Sequence, residues 1–265
     1  MTLKLLALAA LPLTTMLACG DKESDTSEET TETTEDTDEE TEDTAGEETD
    51  TPEEEAYVRV VHLSPDAPAV DVYANGGAVV ENVAFPAGSG YLTVPTGEYT
   101  FEVAPAGTSA DDVLPVNLSA PLEADTYYTA IAHGYLDSSN GNNGFAISPF
   151  VQDMSEITEG NFRVQVVHAA AGIGQVDIWN ITDADNPTPL IENFDYGADA
   201  TTELPTGIAF VLGVDVDDDA SPDVVFDIPD SLTGFVGVYA ANDVAGAPFL
   251  FAHLEDGTTV RLDPR

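Results

Sequence analysis

The chain has 265 residues, of which 50 are acidic and 6 are Lys or Arg, and its formal net charge is −44. Nucleic acids and anionic lipid headgroups are bound through clustered basic side chains, so this charge excludes nucleic-acid binding and direct binding to an anionic membrane surface. The chain has one cysteine, which excludes an intrachain disulfide bond.

Residues 1–19 have the pattern of a bacterial lipoprotein signal peptide. Lys4 precedes an apolar run at 5–13, which is too short to span a bilayer, and the segment ends in Leu-Ala-Cys with Cys19. A sole cysteine directly after Leu-Ala resembles a lipobox, in which the cysteine is acylated, with palmitate among the attached chains, and becomes the mature N-terminus. The alternative is a chance cysteine in an ordinary signal peptide.

Residues 20–55 consist almost entirely of Asp, Glu, Thr and Ser, with 19 acidic residues and one basic residue, Lys22. Such a segment cannot bury a hydrophobic core, and its like charges repel, so it is predicted to be a disordered, extended tether. An export signal directly after Cys19 and weak, diffuse binding of divalent cations are the alternatives.

From Tyr57 onwards β-branched and aromatic residues dominate, interrupted about every 8–12 residues by Gly, Pro, Asn or Asp. This pattern predicts an all-β protein with two tandem antiparallel β-sandwich domains of immunoglobulin-like or prealbumin-like architecture, at 56–153 and 160–265. The polar stretch 153–160 is the predicted boundary. The predicted strands are 57–63, 69–74, 90–94, 98–103, 114–118, 126–133 and 144–151, then 161–168, 175–180, 189–193, 200–204, 207–214, 223–227, 234–241, 247–253 and 258–262.

The second half of this region repeats the first. The repeat length of roughly 110 residues is the size of one whole domain, which favours two copies of one fold. The matched residues are His62 with His168, Asp71 with Asp177, Tyr73 with Trp179, and Pro95-Thr96-Gly97 with Pro205-Thr206-Gly207.

The first copy contains Val-Val-His-Leu-Ser-Pro-Asp-Ala-Pro-Ala-Val-Asp-Val-Tyr at 60–73 and Tyr-Tyr-Thr-Ala-Ile-Ala at 127–132. These segments resemble domain-of-unknown-function family 4397. The resemblance is nearly unbroken from Tyr57 to His133 and weaker in the second copy, where 170–174 is Ala-Ala-Gly-Ile-Gly. It implies a secreted or surface-attached bacterial β-domain, often found in tandem, and it carries over no catalytic residues.

A run of aspartates is the candidate metal site. Calcium needs six to eight oxygen ligands from a short flexible segment, and alternating aspartates are how such loops begin. The EF-hand pattern then fails, because Ala220 stands where glycine is needed and Phe226 where the bidentate glutamate is needed. A solvated hairpin tip is the alternative, and no other cofactor is predicted. The candidate calcium ligands are Asp215, Asp217, Asp219 and Asp223.

Two His–Asp pairs, His62 with Asp71 and His168 with Asp177, follow the repeat. No nucleophile or metal-binding spacing accompanies them, so a structural role is favoured, with each imidazole bound to a neighbouring backbone carbonyl. A metal or catalytic role is the alternative.

The turn at Ser64–Pro68 carries two polar side chains, Ser64 and Asp66, that can cap exposed amides. Loops at the ends of β-sandwiches commonly bind ligands, so Ser64 and Asp66 are also a candidate binding loop. Hairpin geometry alone is the simpler explanation.

Together these features predict a non-catalytic, lipid-anchored protein of the bacterial cell envelope, at the outer membrane or the cell surface. It would display two β-sandwich domains for adhesion, scaffolding or ligand binding, with an unidentified envelope or extracellular partner. The alternative function is a calcium- or glycan-binding module. A hydrolytic enzyme is the least favoured hypothesis, because no acid, base and nucleophile can be brought together from the sequence.

Overall fold

The computed structural model describes residues 54–139 and 141–265. The predicted signal peptide, Cys19 and all but the last residues of the predicted tether lie outside this part of the chain. Its regular structure is eighteen strands and one short 3-10 helix, which confirms the all-β fold class. Within the described residues, no helix has the length and apolarity that crossing a membrane requires.

Residues 55–152 form a first sandwich of two sheets. One sheet has the order β4-β1-β8-β9, with β5 also paired to β1, and the other has the order β3-β2-β6-β7. A 3-10 helix at Ala110–Asp112 precedes β7. The strands are β1 Glu55–Leu63, β2 Val70–Ala74, β3 Gly77–Val83, β4 Ala87–Gly88, β5 Leu92–Pro95, β6 Gly97–Pro105, β7 Asn117–Leu122, β8 Tyr127–His133 and β9 Ala146–Gln152.

Residues 161–262 form a second sandwich on the same plan. Its sheets have the orders β13-β10-β16-β17-β18 and β12-β11-β14-β15. The strands are β10 Asn161–His168, β11 Val176–Asn180, β12 Thr188–Phe194, β13 Asp199–Pro205, β14 Phe210–Asp215, β15 Val224–Ile228, β16 Phe235–Asn242, β17 Pro248–Leu254 and β18 Thr259–Leu262.

The first strand of each sandwich pairs in parallel with a late strand. Tyr57 is opposite Tyr127 in the first sandwich, and Arg163 is opposite Phe235 in the second. The strand pattern predicts antiparallel sandwiches, and for these two pairs that prediction is wrong. The chain leaves β1 or β10, forms the other sheet, and returns running in the same direction, which a crossover connection permits.

The sheets that contain β1 and β10 pack against each other, and we call them the inner sheets. Strands buried on both faces lose the alternation of polar and apolar side chains, and β1 is buried at every position from Val58 to Leu63. The two sandwiches therefore share a hydrophobic core. Its members are Val61, Leu63, Ile131 and Phe150 from the first sandwich, and Val167, Ala169, Tyr239, Ala241, Phe249 and Phe251 from the second.

Arg59 lies in this shared core with its side chain fully buried. Its Nε donates to Thr129 Oγ1, and its Nη atoms donate to Tyr239 Oη and Leu254 O, each at 3.0 Å. The guanidinium lies 5.0 Å from the centre of the Tyr91 ring. Among the described residues no carboxylate forms an ion pair with it. Neutral acceptors and a π face from both sandwiches thus stabilise the charge and join the two inner sheets.

The predicted strands agree with most of the observed ones. The pattern misses β3 and β4 in the first sandwich, and β7 and β14 each begin three residues later than predicted. Most side chains of β3 are partly or fully exposed, and Asn82 has a φ of 55°. A strand with weak burial and an irregular residue has no clear two-residue period in the sequence.

The segment 153–160 carries no strand. Arg163 fixes it in place by donating to the carbonyl oxygens of Asp153 and Ser155 at 2.8 and 2.9 Å. The same guanidinium forms an ion pair with Glu203 at 2.8 Å. The domain boundaries predicted on either side of this segment stay a prediction.

Candidate ligand-binding cleft

An open cleft of about 420 Å³ lies where four inner strands end. β1 runs parallel to β8, and β10 to β16, so the carboxyl ends of each pair lie at one edge of their sheet. The loops that follow these four strands bring side chains from both sandwiches into one site. The lining includes Asp66, Tyr135, Asp137, Asn142, Gly172 and Asn242.

Asp66 holds the first-sandwich side of the cleft in place. Its Oδ1 accepts the backbone N–H of Leu136 at 2.8 Å, and its Oδ2 accepts that of Asp137 at 2.9 Å. Ser64, the other candidate residue of this loop, is fully buried, with its Oγ 3.5 Å from Asp66 Oδ1. The structure therefore places Asp66 at the cleft and Ser64 behind it, where it cannot contact a ligand.

The loop after β10 packs directly on the loop after β8. The backbone N–H of Gly172 donates to Asn143 Oδ1 at 3.0 Å. Gly172 has a φ of +82°, and a Cβ there would lie 2.6 Å from Asn142 Oδ1. Glycine is therefore required both by the left-handed backbone and by the close approach, and it keeps the two sandwiches in contact at the cleft.

Tyr135 and Asn242 join the two sandwiches in the same place. Asn242 Nδ2 donates to the hydroxyl oxygen of Tyr135. The Oδ1 atom of Asn242 is buried and has no hydrogen-bond partner among the described residues. A buried acceptor without a donor is costly, and because this atom is closed to solvent it is not an open contact point for a ligand in the cleft.

The cleft carries negative charge. Hydrogen bonds from the side chain and backbone of Ser139 lower the pKa of Asp137, which keeps its carboxylate ionised at neutral pH. No Lys or Arg is among the described residues that line the site. This electrostatic environment disfavours anionic ligands and leaves carboxylate and amide oxygens to accept hydrogen bonds from a neutral one.

The predicted His–Asp pairs are not hydrogen-bonded to each other, because each group has its own backbone partners. His62 Nε2 donates to Pro68 O at 3.0 Å, whereas Asp71 accepts the backbone N–H groups of Asn82 and Gly107 at 2.7 and 2.9 Å. A carbonyl oxygen can only accept, so the Nε2–H tautomer is fixed.

The second sandwich repeats this arrangement. His168 Nε2 donates to Gly174 O at 2.8 Å, and Asp177 accepts the backbone N–H of Asn193 at 2.6 Å. Burial lowers the pKa of both His62 and His168, which keeps the imidazoles neutral. Each imidazole and each carboxylate thus binds the backbone of its own sandwich.

The aspartate run forms the tip of the β14–β15 hairpin. Oxygen atoms of Asp215, Asp217 and Asp223 lie within 4.8 Å of one another, and Asp219 is outside this group. Asp215 is buried and accepts the backbone N–H groups of Asp218 and Ala220 at 2.9 and 2.8 Å, so its oxygens already stabilise the turn. The nearby charges of Asp219 and Asp223 raise the pKa of Asp217.

Tyr135, Asn142 and Asn242 are site residues that the sequence does not identify. They lie in two segments of the chain about 100 residues apart, and no spacing rule links them. The available signal is the parallel pairing of β1 with β8 and of β10 with β16, because parallel strands bring their following loops to one edge.

The comparisons with known proteins cover part of the chain. The family described as "Domain of unknown function (DUF4397)" matches residues 56–179, which is the first sandwich and the start of the second. No curated protein matches the chain. A solved structure described as "Alpha-glucan binding by a streptococcal virulence factor" aligns with 73% of this chain and 95% of its own at 12% identity, with a TM-score of 0.23.

Proposed function

We propose that this protein is a non-catalytic binding module that holds an uncharged, polyhydroxylated ligand, of the glycan class, in the cleft between its two sandwiches. The observation that carries the proposal is a cleft built from both sandwiches and lined by carboxylate, amide and phenol groups. Sugar hydroxyls donate and accept hydrogen bonds, and these groups supply partners for both.

The site is largely preformed, which favours binding. Asp66 and Asn143 use backbone N–H donors to fix the loops around it. A loop that is already ordered loses little conformational entropy when a ligand binds.

The cellular setting belongs to the same proposal. Acylation of Cys19 anchors the protein in the bacterial cell envelope, at the outer membrane or the cell surface, and the acidic segment 20–55 separates the sandwiches from the lipid. Two or more acyl chains give stable attachment, at about 0.8 kcal/mol for each buried CH₂ group. Adhesion or scaffolding through an envelope or extracellular glycan follows from this placement. Labelling with radioactive palmitate should mark the wild type and leave Cys19→Ser unmarked.

Calcium binding at the β14–β15 tip is a second candidate, favoured by the three carboxylates within 4.8 Å of one another. The ion would relieve the like-charge repulsion that raises the pKa of Asp217. Such a site would stabilise the hairpin, without a role at the cleft.

Isothermal titration calorimetry of the purified protein tests the glycan proposal. The panel is neutral hexasaccharides (maltohexaose, cellohexaose, chitohexaose and mannohexaose) with polygalacturonate as an anionic control. We expect at least one neutral sugar to bind and the polyanion not to bind. Asp137→Ala should weaken that binding at least tenfold, because it removes an acceptor from the cleft.

Asp183→Ala is the matched control. Asp183 is also an exposed aspartate that accepts the backbone N–H two residues later, but it lies outside the cleft. Binding should be unchanged in this variant. Equal losses in the two variants, or no heat with any neutral sugar, would show that the cleft is not a glycan site.

A further inference from the structure

The interior of the second sandwich contains a cavity of about 340 Å³, whereas that of the first contains about 20 Å³. Protein interiors are close-packed and hold few voids larger than a water molecule. A volume of this size falls at the lower end of ligand pockets, which measure roughly 300–1,000 Å³. The cavity goes beyond the proposed glycan site, with which it shares one lining residue, Ile173.

The cavity lies between the two sheets of the second sandwich and is almost wholly apolar. Three of its described lining residues are polar, and none of them carries a charge: they are His168, Thr201 and Thr202. The rings of Phe162, Phe194, Phe210 and Phe226 form much of the remaining wall. An interior of this composition favours an apolar occupant over water, because water finds few hydrogen-bond partners there.

An entrance lies between two edge strands. β12 and β13 are the outermost strands of their sheets on the same side of the sandwich. Leu190 on β12 lines the cavity and is 41% exposed, and Thr201 and Thr202 on β13 also line it and are exposed. An apolar side chain that contacts both solvent and the cavity marks a path for a ligand between these edges.

His168 lines the cavity and carries one polar atom that has no partner among the described residues. In the first sandwich, His62 Nδ1 accepts the backbone N–H of Ser64 at 3.3 Å. In the second sandwich the equivalent loop is Ala170–Gly174, and His168 Nδ1 is buried without a partner among the described residues. Because Nε2–H is committed to Gly174 O, Nδ1 carries a free lone pair and can only accept a hydrogen bond.

We infer that the second sandwich binds a small uncharged apolar molecule that carries one hydrogen-bond donor, such as a medium-chain or terpenoid alcohol. The hydrocarbon part fills the cavity, and the hydroxyl donates to His168 Nδ1. A carboxylate is disfavoured because it cannot donate, because no charged side chain among the described lining residues neutralises it, and because the whole chain carries −44. The first sandwich, whose cavity is small and whose His62 Nδ1 is occupied, has no such site.

The test uses the purified full-length protein and the uncharged fluorophore N-phenyl-1-naphthylamine. We expect a saturable rise in fluorescence, displacement of the fluorophore by decan-1-ol, and a higher thermal unfolding midpoint with decan-1-ol present. 1-Methoxydecane has the same chain but no donor, and decanoate is charged at pH 7.5. Both should displace the fluorophore at least tenfold less effectively than decan-1-ol.

Variants locate the site. Val214→Phe fills the cavity and should weaken fluorophore binding at least tenfold, with an unfolding midpoint no lower than that of the wild type. If the phenyl ring in Val214→Phe prevents folding, Ala200→Leu on edge strand β13 is the second cavity-filling variant. Val151→Thr removes an apolar side chain that is 60% exposed on the first sandwich, and should leave binding unchanged.

Four results would overturn the inference. No saturable binding, or equal binding by wild type and both cavity-filling variants, would show that the cavity takes no ligand. Loss of binding in Val151→Thr would place the fluorophore on the surface. Equal displacement by decan-1-ol and 1-methoxydecane would show that His168 Nδ1 receives no hydrogen bond.

Discussion

The two sandwiches follow the same strand order, yet their interiors and first loops differ. In the first, the Ser64–Pro68 loop supplies an N–H to His62 and a carboxylate to the loop after β8, and little space remains between the sheets. In the second, Ala170–Gly174 supplies neither group, and the interior holds a large cavity. The histidine–carbonyl contact occurs in both. This contact therefore belongs to the shared fold, whereas the loop chemistry and the filling of the core vary independently of it.

The largest expected difference in unfolding free energy is between equivalent substitutions that the two sandwiches contribute to the shared core. Arg59 on β1 and Gln165 on β10 are equivalent positions, and both side chains reach the opposite sandwich. Arg59→Ala removes a large buried side chain and leaves several acceptors unpaired, which should cost about 4 kcal/mol of unfolding free energy. Gln165→Ala should cost about half as much, because the Gln165 Oε1 atom already lacks a partner. Urea unfolding of both variants measures the difference, and equal losses would contradict it.

A second difference is pH-dependent. His133 on β8 contacts Tyr196 Oη across the shared core, whereas β16 has Ala241 at the equivalent place. Burial lowers the pKa of His133 from 6.5 to about 4. The unfolded chain therefore takes up a proton first as the pH falls below 6.5, and the stability that His133 contributes is lost between about pH 6.5 and pH 4.

At pH 5 the loss of unfolding free energy due to His133 amounts to about 2 kcal/mol. His133→Gln keeps a hydrogen-bonding side chain that does not titrate, so it provides the comparison. Unfolding free energies at pH 7.5 and pH 5 should fall more steeply for the wild type than for the variant. Parallel pH profiles would mean that His133 is not the group responsible.

Matched core truncations test the difference in packing. Val103 on β6 and Val214 on β14 are equivalent positions, opposite Val72 and Ile178 respectively. Val103→Ala opens a void in a filled core and should cost about 2 kcal/mol. Val214 already borders the cavity, so Val214→Ala should cost about 1 kcal/mol. Chemical denaturation gives both values, and a larger loss for Val214→Ala would contradict the difference in packing.

The smallest expected effect on stability is at the aspartate run in the tip of the β14–β15 hairpin, which has no counterpart in the first sandwich. Asp217→Asn removes one of several like charges and should raise the thermal midpoint slightly in a chelating buffer, since repulsion raises the pKa of Asp217. Millimolar Ca²⁺ then distinguishes the two hypotheses for this loop. A rise in the wild type that the variant lacks supports a calcium site, and no rise in either supports a solvated turn.

The fold was largely predictable because the strands have strong local signals. The inner strands also carried a second signal: β1, β8 and β16 are mostly apolar on both faces, as strands covered on both sides are. That pattern indicates the packing of sandwich on sandwich. The position of Arg59 could not be predicted, because a single arginine in a strand gives no sign that its acceptors come from the opposite sheet.

The cleft was only partly predictable. Asp66 stood out, because a proline-rich turn with an aspartate is a local motif. Asn242 did not, since its place at the site depends on how β16 aligns with β8 across the shared core. The cavity had no sequence signal, because its apolar lining is the composition of any sandwich interior.

The direction of β1 has a consequence for how the protein faces its surroundings. The described chain begins at Glu54, and β1 then runs for nine residues, about 30 Å, before it reaches the loop that carries Asp66. The beginning of β1 and the cleft are therefore at opposite ends of the first sandwich. In the proposed function, a large polymer would therefore enter the site at the end of the first sandwich that lies opposite to Glu54.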